Sequence, residues 1–221
     1  MASAAAQTTD QTAVFARARR AMIDSQLRVS GINEPYLLDA FARVPREDYV
    51  AADQRSIAYV DRQLPLGEGR AISSPLGQAR LLLEAAPKQT DKALLIAGGT
   101  GYLAALLAPL VASLDVVEPD ARLGHFDGER AGNWHASAMI DGWKKGAPYD
   151  LIIIDGAIEN VPKAIARQLD SHGRIATGTV ANGVTRIAIG RRSGDGVALL
   201  PVADIGMPVL ADFATPKGWS F

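Results

Sequence analysis

The run Leu94-Leu95-Ile96-Ala97-Gly98-Gly99-Thr100-Gly101-Tyr102 is a strand that breaks into glycines and turns into a helix. Such a turn lets a ligand approach the backbone and offers it the amide hydrogens of a helix start. Glu118 ends the next apolar run, where an acid accepts hydrogen bonds from the two hydroxyls of a ribose, a task suited to the paired oxygens of a carboxylate. Gly98, Gly99, Gly101 and Glu118 are therefore candidate cofactor-binding residues. Two ligand classes use this device. Gly99-Thr100-Gly101-Tyr102-Leu103-Ala104 fits the G-x-G-x-x-[GA] turn that holds the pyrophosphate of a dinucleotide, and a similar turn cradles the methionine part and ribose of S-adenosylmethionine. The turn alone does not choose between them. Asp155, in Ile154-Asp155-Gly156-Ala157 after a wholly apolar run, sits at the ligand-binding edge of such a sheet, lining a pocket or capping a turn.

A second constellation lies upstream. The segment Tyr59 to Pro75, Y-V-D-R-Q-L-P-L-G-E-G-R-A-I-S-S-P, is too dense in turn formers for an ordinary strand or helix, yet carries an acid, Asp61, and a hydroxyl pair, Ser73 and Ser74. It reads as a shaped active-site loop. The structural alternative is that Ser73 and Ser74 cap the helix after Pro75.

The elements that would position these residues follow from periodicity. Apolar residues recur at helical spacing over Val14–Leu27, with Arg17, Arg19, Arg20 and Asp24 on other, solvated faces. Gly31 and Asn33 break this helix, and Pro35 suits the first turn of the next, over Tyr36–Arg43. A helix is expected over Leu76–Glu84, packing Leu81, Leu82 and Leu83 under a sheet and ended by Pro87. Strands and helices then alternate: Ala93–Ala97, helix Tyr102–Leu110, Ser113–Val117, Leu151–Ile154, helix Pro162–Leu169, Arg174–Val180 and Thr185–Arg191. Short apolar strands such as Leu151-Ile152-Ile153-Ile154 suit a sheet covered on both faces. The pattern is α/β, a doubly wound, mostly parallel sheet with an N-terminal helical segment. The glycine-rich stretch Asp120–Trp134 is expected to be a poor helix or irregular, and Pro216–Phe221 to add a last strand.

Composition narrows the function classes. The chain has 221 residues, 48% hydrophobic and 21% charged, enough for one substantial core. A net charge of −1 gives no global pull toward nucleic acid or anionic membrane, and zero cysteines exclude a catalytic thiol or thiolate metal site. The histidines His125, His135 and His172 lack metal-ligand spacing, so no metal is expected. Neither a G-x-S-x-G elbow nor a G-x-x-x-x-G-K-[ST] loop is present. Trp134, Trp143 and Trp219 read as packing anchors, since no basic run accompanies them. Met1–Thr12 has neither a basic leader nor a signal-length apolar core, and no 18-residue apolar stretch follows, so a cytoplasmic protein is expected.

The Tyr59–Pro75 loop resembles the pattern Y-x-D-x-x-L-P-[LI]-G-x-G-x-[TA]-I-S-x-P of protein-L-isoaspartate O-methyltransferases, which methylate damaged aspartyl residues with S-adenosylmethionine. The run Arg17–Ile32 and Val44-Pro45-Arg46-Glu47-Asp48-Tyr49-Val50 look like that family's opening, M-[VI]-x-x-Q-L-R-x-x-G-I followed by V-P-R-E-x-[FY]-V. The similarity continues through Gly101–Ala108, Glu118, Pro148–Ile153, Val161-Pro162, Gln168-Leu169 and Gly173-Arg174, so that it spans about Arg17 to Arg192. The resemblance implies a Rossmann-like methyltransferase fold, with N-terminal helices and active-site loop over 14–80 and an S-adenosylmethionine-binding domain over 81–221; the residues before them, 1–13, are expected to form a mobile tail. It implies that Asp141, in Met139-Ile140-Asp141-Gly142 where the family has G-D-G, binds the adenine amino group. Ser73 would hydrogen-bond the substrate carboxylate, and Asp61 would position the peptide backbone or the loop. The partner would be a peptide or protein with a damaged aspartyl residue, with no nucleic acid and no membrane.

Departures from the pattern point elsewhere. The first strand of active members usually ends in an acid, [DE]-x-G-x-G-x-G, that holds the cofactor's ammonium; here Leu95 takes its place and Ala97 that of the first glycine. Losing a charged partner costs about 1.5–3 kcal/mol of binding. Two alternatives follow: a catalytically impaired relative kept as a binding module, and, on the glycine turn alone, an NAD(P)-dependent oxidoreductase.

Overall fold

The computed structural model describes residues 2–215, with side chains from Gln11 onward. Helix α1, Ala2–Met22, runs into a π-helical turn, Ile23–Leu27, and a 3₁₀ turn, Arg28–Ser30, and stops at Gly31 in the left-handed region at φ +83°. Its backbone is helical through most of the expected tail over 1–13. Arg19 departs from the solvated face expected of it, turning inward to pair with Glu47 at 3.0 Å and to donate to the Tyr59 hydroxyl at 2.7 Å. Helix α2, Pro35–Arg43, begins with proline in its first turn and buries Leu37, Leu38 and Phe41.

The loop that follows contains a short antiparallel hairpin, β1 Leu64–Gly67 and β2 Arg70–Ile72, turning through Gly67, Glu68 and Gly69, all at positive φ. Helix α3, Pro75–Ala85, ends on Ala86 at φ +45° just before Pro87. Then come β3 Lys92–Ile96, α4 Tyr102–Leu107, β4 Ser113–Val117, β5 Asn133–His135, β6 Tyr149–Ile158, α5 Lys163–Ala166, β7 Leu169–Ala181, β8 Val184–Ser193 and β9 Gly196–Ala203.

The main sheet has the order β5-β4-β3-β6-β7-β8-β9, with β5 through β7 parallel and the last two strands antiparallel. From β3 the chain winds outward to β4 and β5, then crosses back to lay β6 on the other side of β3. That reversal opens a crevice at the carboxyl ends of β3, β4 and β6, where open α/β sheets bind ligands. Both faces are covered. Leu95, Leu151 and Ile153 join the layer under the N-terminal helices, while Leu94, Ile96, Ile152 and Ile154 pack with Ile165 and Phe213 on the opposite face.

Several boundaries differ from the sequence reading. Helix α4 gives way at Ala108–Leu110 to a 3₁₀ turn containing Pro109, and α5 is a single turn because Leu169 already belongs to β7. The stretch after Asp120 is irregular, as expected, apart from a 3₁₀ turn at Ala121–Gly124 and the three residues of β5. Strand β9 was not foreseen. The expected last strand at 216–221, with Trp219, lies outside the described residues.

Candidate active site

The turn after β3 is strained at its first residue. Ala97 sits at φ +61°, a region that an L side chain enters at a cost of about 1–2 kcal/mol, followed by Gly99 at φ +55° and Gly101 at φ +99°. Gly101 caps α4, and its amide donates to the Gly98 carbonyl at 3.0 Å. Gly98 is fixed by packing: a Cβ there would stand 2.4 Å from Val116 Cγ1 and 3.1 Å from the Trp134 ring. The Gly99 amide points across to β4 and donates to Glu118 Oε2 at 2.8 Å.

Glu118 is saturated. Besides the Gly99 amide, its carboxylate accepts the Asp120 amide at 3.1 Å and a two-pronged pair from Arg70, Nη1 at 3.1 Å and Nη2 at 2.8 Å. Burial pulls the Arg70 pKa down, but the hydrogen bonds and charge of Glu118 outweigh it and leave the guanidinium above its ordinary value.

The Tyr59–Pro75 loop enters from the other side. Its first residue is locked: the Tyr59 hydroxyl bonds the Glu47 carboxylate and accepts from Arg19 and from the Arg46 amide. Asp61 accepts the Leu76 amide at 3.0 Å, and Ser74 Oγ accepts the Gly77 amide at 3.1 Å, so both cap α3. Ser73 does not cap. It is fully buried and donates to Asp155 Oδ1 at 2.7 Å, while Gln78 donates to Asp155 Oδ2 at 2.8 Å. Asp155 follows Ile154, the partner of Ile96, and β6 shifts register against β7 between Ile153 and Ala157. This bulge sets the carboxylate at the level of the glycine turn. Burial pushes the Asp155 pKa up, against the hydrogen bonds of Ser73 and Gln78 and the charges of Arg46 and Arg70.

Beneath the loop lies Arg46, fully buried, donating to the carbonyls of Ala58 at 2.8 Å and Ser73 at 2.6 Å and to Gln78 Oε1 at 2.7 Å. Its guanidinium lies 4.8 Å from the Tyr102 ring centre, and burial raises the Tyr102 pKa to about 12. Arg46 and Gln78 thus tie Ser73 to Asp155. Neither stood among the residues singled out for the site, although Arg46 lies in the V-P-R-E run and Gln78 one turn after Ser74. Arg70 gave no signal, standing at an unspecified position of the loop pattern just after the glycine turn.

Two cavities flank this cluster. The inner one, lined by Leu66, Arg70, Ala97, Gly99, Thr100 and Asp155 among others, measures about 10 Å³, room for about one water. The outer one, about 260 Å³, runs from Glu118 and Asp120 to Trp134, His135 and Ala136. Asp141 lines neither; it stands on an exposed turn with its carbonyl held by Gln168 at 2.6 Å. Leu95 is sealed in the apolar layer, leaving Asp155 as the carboxylate on the inner side. The residues fit S-adenosylmethionine in kind: an acid beside an open cavity for the nucleoside, a glycine turn, and the buried Thr100 hydroxyl, which lines the inner cavity without a hydrogen-bond partner. The inner side is closed by the chain's own groups.

Comparison with known proteins agrees with this fold. The family model for Protein-L-isoaspartate(D-aspartate) O-methyltransferase matches residues 17–123 and 130–199. The protein-L-isoaspartate O-methyltransferase of Koribacter versatilis is 38% identical over 168 residues, 73% of this chain and 76% of its own length. That of Roseiflexus sp. (strain RS-1) is 36% identical over 207 residues, covering 86% and 90%. Among solved structures, a protein-L-isoaspartate O-methyltransferase superposes with a TM-score of 0.71 at 20% identity, over 87% of this chain and 66% of the other. A Plasmodium falciparum protein of the same name, in complex with S-adenosyl-L-homocysteine, gives 0.71 at 14% identity, over 88% and 98%. From its opening helix to the antiparallel end of its sheet, this chain belongs to the protein-L-isoaspartate(D-aspartate) O-methyltransferase family.

Proposed function

We propose that the chain transfers a methyl group from S-adenosylmethionine to the carboxylate of a damaged aspartyl residue, an isoaspartyl residue above all, in a peptide or protein. One observation carries the reading: Ser73, on the family-like loop, is held by Arg46 and Asp155 in the crevice that also holds the Gly99–Glu118 contact. When bound, the cofactor supplies an electrophilic methyl carbon. The nucleophile is the substrate's own carboxylate, so the protein needs no attacking group; it must orient that carboxylate and exclude water. Ser73 donates to the acceptor carboxylate in exchange for its bond to Asp155. Glu118, supported by Gly99 and Gly101, takes the ribose hydroxyls, and Asp155 takes the ammonium that Leu95 leaves without a partner. Gly98 acts by packing and Asp61 holds the loop through α3. The family match sets aside the dinucleotide alternative. Among the described residues no helix is long and apolar enough to cross a membrane.

The closed inner cavity and the buried Leu95 favour a second reading, a catalytically impaired relative that keeps the scaffold as a binding module. Transfer by the wild type separates the two, since a binding module gives none, and the Ser73→Ala variant then tests the acceptor site. The enzyme reading expects kcat/KM for an isoaspartyl peptide to fall at least about tenfold while the Kd for S-adenosylhomocysteine stays within about twofold. Unchanged transfer would remove Ser73 from the acceptor site.

A further inference from the structure

Arg70 and the cofactor compete for one carboxylate. A carboxylate has two oxygens and about four lone-pair sites, and Glu118 meets four donors: two from Arg70 and the amides of Gly99 and Asp120. The pair is well shielded, the two side chains being 14% and 2% exposed. The amides are fixed by the backbone, so only the guanidinium can leave. We propose that Arg70 is an internal competitor for the cofactor's ribose, a latch that closes the β1–β2 hairpin over Glu118 and sets the affinity for the cofactor.

The hairpin is built for this. Its turn has three successive positive φ angles, and its tip is tied to the loop after β4 by a second, exposed pair, Glu68 to Arg122 at 2.7 Å, with Arg122 also on Asp120 at 2.6 Å. Arg70 lines the inner cavity with Asp155 and Thr100, so its departure from Glu118 frees the acceptor and opens the space beside the orphaned Thr100 hydroxyl. The exposed Glu68–Arg122 contact adds little holding force. The latch therefore resides in Arg70.

The inference rests on Glu118 as the ribose acceptor. A latch closed nine-tenths of the time weakens apparent affinity about tenfold, so Arg70→Gln, which cannot neutralise Glu118, should tighten S-adenosylhomocysteine binding by about that factor in calorimetry. Arg70→Lys, with its charge kept and its fork lost, should fall between. The ligand-free Arg70→Gln variant should melt below wild type, because Glu118 loses its buried partner, and should gain more on adding ligand. Equal or weaker binding by the folded Arg70→Gln variant would overturn the latch. Glu118→Ala made in the Arg70→Gln background, where the latch is already open, keeps the two ideas apart: if it weakens binding there while Arg70→Gln alone does not tighten it, the latch alone falls. If it changes nothing there, the ribose reading falls and takes the latch with it.

Discussion

Ala97 is where the cost of departing from the family's glycine can be measured. Its φ of +61° places a methyl-bearing residue in the left-handed region, in a turn where the aligned family residue is glycine. Glycine would remove about 1–2 kcal/mol of backbone strain and give back about 0.5–1 kcal/mol as extra unfolded-state entropy. Ala97→Gly should therefore stabilise the protein by roughly 0.5–1 kcal/mol, seen as a higher urea midpoint at constant slope; a lower midpoint would show that the Cβ packs usefully. The residue types that do chemistry were legible where their spacing was unusual, as with Glu118 after the glycine turn and Ser73 in its proline- and glycine-rich loop. What they touch was not. Ser73 bonds an acid far along the chain, and Glu118 bonds an arginine whose position carried no pattern.

At the scale of elements, the loop is the part that needs holding, and Arg46 holds it. Replacing it with an apolar side chain of similar length, Arg46→Met, leaves the Ser73 and Ala58 carbonyls and Gln78 Oε1 without their donor. The cost should be about 3 kcal/mol, since the loss of one member of a buried charged network leaves the others unsatisfied. Chemical denaturation checks this, and a change below about 1 kcal/mol, the worth of one ordinary hydrogen bond, would mean that the loop is held elsewhere. Helices α2 and α3 and strands β3, β4, β7 and β8 were readable because each carries an apolar rhythm between breakers. Strand β9 was not, because as the edge strand it alternates weakly and contains Pro201, although Gly194-Asp195-Gly196 marks the turn before it. The bulge in β6 that aims Asp155 is a register effect, set by pairing with β7, and leaves no trace in a single strand's composition.

Over the whole molecule, the sheet order brings Ser73, Asp155, Glu118 and the glycine turn to one crevice, and it buries an acid whose charge the fold must carry. The Asp155 pKa is raised by burial, so the folded state holds that proton more tightly than the unfolded chain. Stability linked to this group is therefore lost as pH rises from the ordinary aspartate range toward the raised value, and is flat above it. Measured against Asp155→Asn from pH 4 upward, wild type should lose stability relative to the variant; a difference constant with pH would mean that Asp155 titrates normally. The charge state of this carboxylate also bears on the reaction, because Ser73 must exchange it for the substrate's. The most direct test of the function is transfer of a labelled methyl group from S-adenosylmethionine by the wild-type protein to an isoaspartyl peptide and to its normal aspartyl twin. Label on the isoaspartyl peptide and not on the twin is the expected result; no label on either, with the protein folded and S-adenosylhomocysteine bound, would contradict it.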